Sequence, residues 1–183
     1  FQDRLRRYTV KALREAKTRS SWSRPNEPYE AACARFMADL VDTSRPNLFL
    51  DDFLPFAARV AFFGMLNSLV QTTLKLTCPG VPDLYRGSEL WDLSLVDPDN
   101  RRPVDFDDCV SLLAALETVR DWQPLLEHWA DGHIKLALIR RLLAIRHDRP
   151  QLFTYGTYIP IEVRGPAAEH TIAFARSDGT QAA

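Results

Sequence analysis

The chain has 183 residues, 46% of them hydrophobic, and a formal net charge of −1. That length suits one ordinary domain and part of a second, and the apolar share excludes general disorder. A balance so near neutrality argues against a dedicated nucleic-acid binder.

The three cysteines, Cys33, Cys78 and Cys109, form no C-x-x-C pair. Neither a zinc site nor a disulfide framework is indicated, and a reducing, cytoplasmic setting is expected. The chain opens at Phe1 on a charged run with no signal-peptide pattern. A start inside an amphipathic pattern suggests a piece of a longer polypeptide.

Residues from about Asp3 to Lys17 contain neither Gly nor Pro, and Leu5, Tyr8, Ala12, Leu13 and Ala16 fall near one face of a helix. Basic side chains, among them Arg4, Lys11 and Arg14, fill the rest. No stacking aromatics alternate with these charges, so a solvated face is expected rather than an RNA site. Residues 20–28 read as a loop broken by two prolines and Asn26. Trp22 in that loop is a candidate sugar platform; the alternative is that it pins the loop to its own core. A second helix is predicted from Tyr29 to Val41.

A long apolar helix is predicted over 48–76. It is expected to start near Asp51 or Asp52, whose carboxylates suit a helix N-terminus, with Pro55 in the first turn. The helix is apolar nearly all round, so it is expected to lie buried between a sheet and outer helices. Arg59, Asn67 and Gln71 argue against lipid, and no membrane partner is expected.

The stretch from Cys78 to Val104 holds a short apolar step, Val81 to Tyr85, read as a strand. It breaks at Gly87 into a loop rich in Asp, Asn and Arg. Helix, short strand, long polar loop, helix is the pattern of one βα unit. In a (β/α)8 barrel such loops form the active-site face. Asp92, Asp97, Asn100, Arg101 and Arg102 are therefore candidate substrate-binding residues. The alternative is turn chemistry around Pro98, with the arginines only tying the loop down.

Asp105 or Asp107 is expected to cap a helix running to about Arg120, followed by a short helical piece over 125–130 and a break at Asp131-Gly132. His133 to His147 reads as an amphipathic helix stopped at Asp148-Arg149-Pro150. From Gln151 the period falls toward two. Thr157 to Val163 and His170 to Arg176 read as strands of a hairpin through Gly165-Pro166. Two strands are marginal alone, so a β domain is expected to begin at 151–183 without finishing.

No nucleophile elbow, phosphate-binding loop, dinucleotide fingerprint or H-E-x-x-H is present. His128 and His133 fit one helix face poorly, so no metal ligand is assigned and no cofactor is expected.

Gly80-Val81-Pro82-Asp83-Leu84-Tyr85-Arg86-Gly87-Ser88-Glu89 resembles the eighth barrel strand of the α-amylase superfamily, Gly-x-Pro-x-Ile-Tyr-x-Gly-x-Glu. Continued through Leu90-Trp91-Asp92 to Asp105, and joined by Lys11-Ala12-Leu13-Arg14-Glu15-Ala16-Lys17, Ser21-Trp22 and Pro25-Asn26, it resembles the maltooligosyl trehalose synthase family. The resemblance runs from about Tyr8 to Arg176.

It implies an α/β protein, mostly helical as present. Residues 1–150 would be the C-terminal part of a (β/α)8 TIM barrel, its last strand and flanking helices. Residues 151–183 would begin an antiparallel β domain. It also implies a maltooligosaccharide substrate and a glucosylmutase (isomerase) reaction, in which the reducing-end α-1,4 bond becomes α,α-1,1 through a retaining double displacement. The family's nucleophilic Asp, acid/base Glu and His-Asp-Thr-Lys-Arg stretch have no counterpart here, so no catalytic residue is assigned and this chain alone is expected to be inactive. The missing N-terminal barrel portion is then a partner, and self-association of the fragment is expected. The alternatives are a non-catalytic helical module binding glucan or protein, and another glycoside hydrolase of the superfamily.

Overall fold

A computed structural model describes residues 1–179. It divides into two compact units, Phe1–Phe63 with Leu93–Val104, and Gly64–Asp92 with the residues from Asp105 on.

In the first unit α1 (Gln2–Ala16) packs against α2 (Glu27–Leu40). Both lie close to their predicted bounds. Asn26 caps α2: its side-chain oxygen accepts from the Tyr29 amide at 3.3 Å, and Pro28 occupies the first turn, where no amide proton is needed. Among the described residues of this unit, Leu5 is the only buried large apolar side chain; Thr9, Ser20, Glu30 and Asp99 are the buried polar ones.

Helix α3 (Leu48–Thr77) has 30 residues and begins earlier than Asp51. The cap is Asn47. Its side-chain oxygen accepts from the Phe49 and Leu50 amides at 3.1 and 3.3 Å, and its side-chain nitrogen donates to the Leu40 and Asp42 carbonyls. An amide side chain bonds both ways, which a carboxylate cannot do. Asp51 sits in the first turn and Pro55 falls inside the helix, where its ring nitrogen cannot donate.

The predicted burial of α3 is not supplied by the described residues. Phe53, Leu54, Phe56, Val60, Phe62, Phe63, Leu66 and Val70 are exposed, and only Met65, Thr72 and Leu76 are buried. By length and composition alone α3 is also sufficient to cross a bilayer. Apolar patterning states a need for cover; it does not provide the cover.

In the second unit residues 81–85 form no strand. Val81 is 97% exposed. A strand exists through its ladder, and no neighbouring strand stands alongside this segment among the described residues. Helix α4 (Phe106–Ala115) is capped by Asp105, the first of the two expected candidates, which accepts from the Asp108 amide at 2.9 Å, and it ends in a 3-10 turn rather than running to Arg120. After α5 (Gln123–Glu127), Gly132 turns the chain with φ of 81°. A Cβ there would meet the Trp91 nitrogen at 3.1 Å, so both conformation and space call for glycine.

Helix α6 (His133–Asp148) follows its prediction. Pro150 ends it as expected but is also the first residue of α7 (Pro150–Tyr155), so the extended period expected from Gln151 begins only at β1. Strands β1 (Thr157–Pro160) and β2 (Phe174–Ser177) pair antiparallel, from Thr157 opposite Ser177 to Pro160 opposite Phe174. Both are shorter than predicted, and His170 lies in a 3-10 turn.

Leu116, Leu136 and Ala137 form a core cluster with Leu90, Leu112, Val119 and Leu125 packed on it. Arg176, 2% exposed, donates to the Thr77, Leu152, Phe153 and Gly156 carbonyls at 2.7–3.3 Å. Among the described residues the class is mostly helical with one two-stranded antiparallel sheet; no parallel strand pair and no barrel is formed.

Candidate functional site

The loop over 93–104 is fastened to α1 through two carboxylates. Asp99, 8% exposed, accepts from both Nε and Nη2 of Arg4 at 2.8 Å and from the Leu95 amide at 2.7 Å. Arg102 Nε adds an ion pair at 3.4 Å. The Arg4 guanidinium first, then the Leu95 amide and the Arg102 charge, hold the Asp99 carboxyl at about 2. Asp97 accepts from Lys11 and, at 2.9 Å, from Arg101, and the Lys11 contact depresses its carboxyl. Both acids are ionised at neutral pH and neither has the raised value of a general acid.

The predicted residues therefore divide. Arg102 donates to the Asp99 carbonyl at 3.0 Å and to Ser94 Oγ at 3.1 Å, tying the loop to itself. Arg101 is largely exposed on Asp97, and Asn100 is exposed. Asp92 belongs to the other unit and is also exposed.

Trp22 is 57% exposed, so it does not pin the loop to a core. The Arg14 guanidinium stands 5.1 Å from its ring centroid. Arg14 is itself fixed: Nε and Nη2 donate to the two oxygens of Glu30 at 2.9 and 2.8 Å. Glu30, 4% exposed, also accepts from Ser20, whose hydroxyl takes the Asn26 amide at 3.0 Å. Arg14 and then Ser20 hold the Glu30 carboxyl at about 2. Trp22 and Asp97 line one groove of about 390 Å³ with Arg7, Val10, Lys11 and Pro98. The structure thus brings together two of the six candidates that sequence had placed on separate loops.

In the second unit Lys135 donates to the Leu90 carbonyl at 3.1 Å and lies 5.5 Å from the Trp91 ring. Trp91 Nε1 donates to the Trp129 carbonyl at 2.7 Å. Burial, followed by the Lys75 charge, pulls the Lys135 ammonium below its usual range, while Asp92 and Glu89 act in the other direction. Glu89 Oε2 is buried without a hydrogen-bond partner among the described residues. Burial pushes the Cys109 thiol up, which suits a structural rather than a nucleophilic role. Among the described residues no group of His, Cys, Asp and Glu could hold a metal ion.

Sequence reasoning missed Asp99, Arg4, the Arg14–Glu30 pair and Lys135. Arg4 and Asp99 are 95 residues apart, and only helix periodicity, not partner choice, was legible for α1.

No family model matches the chain. A Mycobacterium tuberculosis protein named as a maltooligosyl trehalose synthase is 37% identical over 178 residues, 97% of this chain and 21% of that protein. A crystal structure of a maltooligosyl trehalose synthase superposes with TM-score 0.85 at 31% identity, over 96% of this chain and 23% of the other. The maltooligosyltrehalose synthase of Arthrobacter ramosus superposes with TM-score 0.81 at 38% identity, over 95% of this chain and 22% of the other. The chain thus spans about a fifth of the length of the relatives it matches.

Proposed function

We propose that this chain, homologous over nearly its whole length to maltooligosyl trehalose synthases, is a C-terminal portion of a glucan-rearranging enzyme. The carrying observation is likeness over 97% of the chain at 37% identity. The parent would act as a glucosylmutase, turning the reducing-end α-1,4 linkage of a maltooligosaccharide into an α,α-1,1 linkage.

A retaining double displacement needs a nucleophilic carboxylate and a second carboxyl serving as acid and then base. The released glucose replaces water as the acceptor, so water must be kept out. Asp97 and Asp99, held ionised by cations, are suited to fastening a loop and not to exchanging protons. The carboxylates that break bonds are therefore sought in the remaining four fifths of the parent. The bare apolar side chains of α3 support the same reading, because a missing sheet and helices would cover them. A cytoplasmic setting fits the three free thiols.

The test is mass-balanced product analysis. The full-length parent given maltopentaose is expected to yield a non-reducing product of unchanged mass. Release of new reducing ends instead would identify a hydrolase, and no conversion would leave a binding module. This chain alone is expected to convert nothing and to self-associate; a monomer across a dilution series in light scattering would count against the reading.

A further inference from the structure

The geometry points to the Trp22 groove as a subsite for one pyranose ring of a neutral α-glucan chain, with Trp22 as its stacking platform. The inference rests on the glucan reading above and adds the place and manner of binding. The groove joins features that suit a sugar: an aromatic platform, polar groups of both signs, Arg6 and Glu15 among them, and a small volume. Trp22, Val10 and Pro98 supply apolar surface against which the C–H face of a pyranose can lie.

Lys11, Arg7 and Asp97 stand on the same lining and offer both donors and acceptors. A phosphate or acidic peptide would meet the Asp97 carboxylate there, and a cation would meet Lys11 and Arg7. A neutral polyol carries hydroxyls that serve either sign. The volume, about 390 Å³, lies at the small end of the range for small-molecule sites.

The platform is also held in place. An exposed tryptophan on a loop would ordinarily lose rotamer freedom on binding. Here Arg14 sits against the ring at 5.1 Å and is locked by both oxygens of the buried Glu30. Lys11 and Asp97 are likewise paired with each other before any ligand arrives. Buried groups thus position exposed ones, the arrangement expected of a built site.

The experiment uses the full-length parent and methyl α-maltoheptaoside, whose blocked reducing end cannot be rearranged. Calorimetry is expected to show about tenfold weaker binding for Trp22→Ala and near-parental binding for Trp22→Phe, which keeps a ring. Equal affinity in all three proteins would overturn the subsite. A second readout needs no variant: the glycoside is expected to protect Trp22 from hydroxyl-radical oxidation, and unchanged oxidation would also overturn it. Product analysis with unblocked maltoheptaose separates the two claims. Rearrangement without any Trp22 effect removes the subsite and leaves the enzyme reading. A Trp22 effect without rearrangement does the reverse.

Discussion

The two units are held together by different chemistry. In the first, the buried side chains are Leu5 and the polar Thr9, Ser20, Glu30 and Asp99. In the second they are mostly apolar, Met65, Leu76, Leu116 and Leu152 among them, with Thr72 and Arg176 the polar exceptions. The cations differ as well. Arg4, Lys11 and Arg14 meet carboxylates, whereas Lys135, Arg146 and Arg176 meet backbone carbonyls and aromatic rings. A carboxylate partner can be protonated and a carbonyl cannot. The carboxylate contacts of Arg4, Lys11 and Arg14 are therefore open to loss in acid, and the carbonyl contacts of Lys135, Arg146 and Arg176 are not.

The contrast can be broken most forcefully at Arg176. Arg176→Met removes the guanidinium that four carbonyl oxygens share in a buried position, of which the Leu152 oxygen keeps the Gly156 amide at 3.0 Å. The expected loss is about 2–4 kcal/mol, read by urea unfolding of the second unit. Arg176→Lys is expected to recover only part, since one ammonium cannot reproduce the fork. A negligible loss would mean that water replaces the guanidinium without penalty.

Acid gives the next largest effect and sharpens the contrast. Glu30 falls from 4.5 to about 2 on folding, and Asp99 from 3.8 to about 2. A depressed carboxyl contributes stability that is complete above its unfolded value and is lost as pH falls toward its folded one. Amide protection in α1 and α2, taken relative to the intrinsic exchange rate at each pH, is expected to fall from about pH 4.5 down to 2, while α6 shows less change. Glu30→Gln should flatten that dependence; an unchanged profile would show that the Arg14 pair contributes nothing. The smallest effect belongs to Arg101→Ala. Its guanidinium is 72% exposed on Asp97, so no measurable change in melting temperature is expected, at low or high salt.

Local signals carried the helices well. The face of α1, the Asp105 cap of α4 and the run of α6 depend on neighbours within a turn or two, and sequence spacing displays them directly. Pro150 ends α6 as expected, but the helix it opens was not foreseen, because proline suits a first helical turn as readily as it ends a preceding helix. Val81–Tyr85 failed as a strand because its ladder partners are not among the described residues. For the candidate site, Trp22 and Asp97 were legible only as separate loop candidates; their sharing of one groove was invisible.

Sequence alone determined which segments wind into helices, because periodicity and caps act over a few residues. It also carried the family likeness in the run from Gly80 to Asp105. Tertiary structure decided which cation meets which acid: Arg4 finds Asp99 across 95 residues, and Arg14 holds Glu30 beneath Trp22. The physical reason is that a charge has no preferred partner along a chain. Its partner is chosen only when folding brings two surfaces together and removes water from between them.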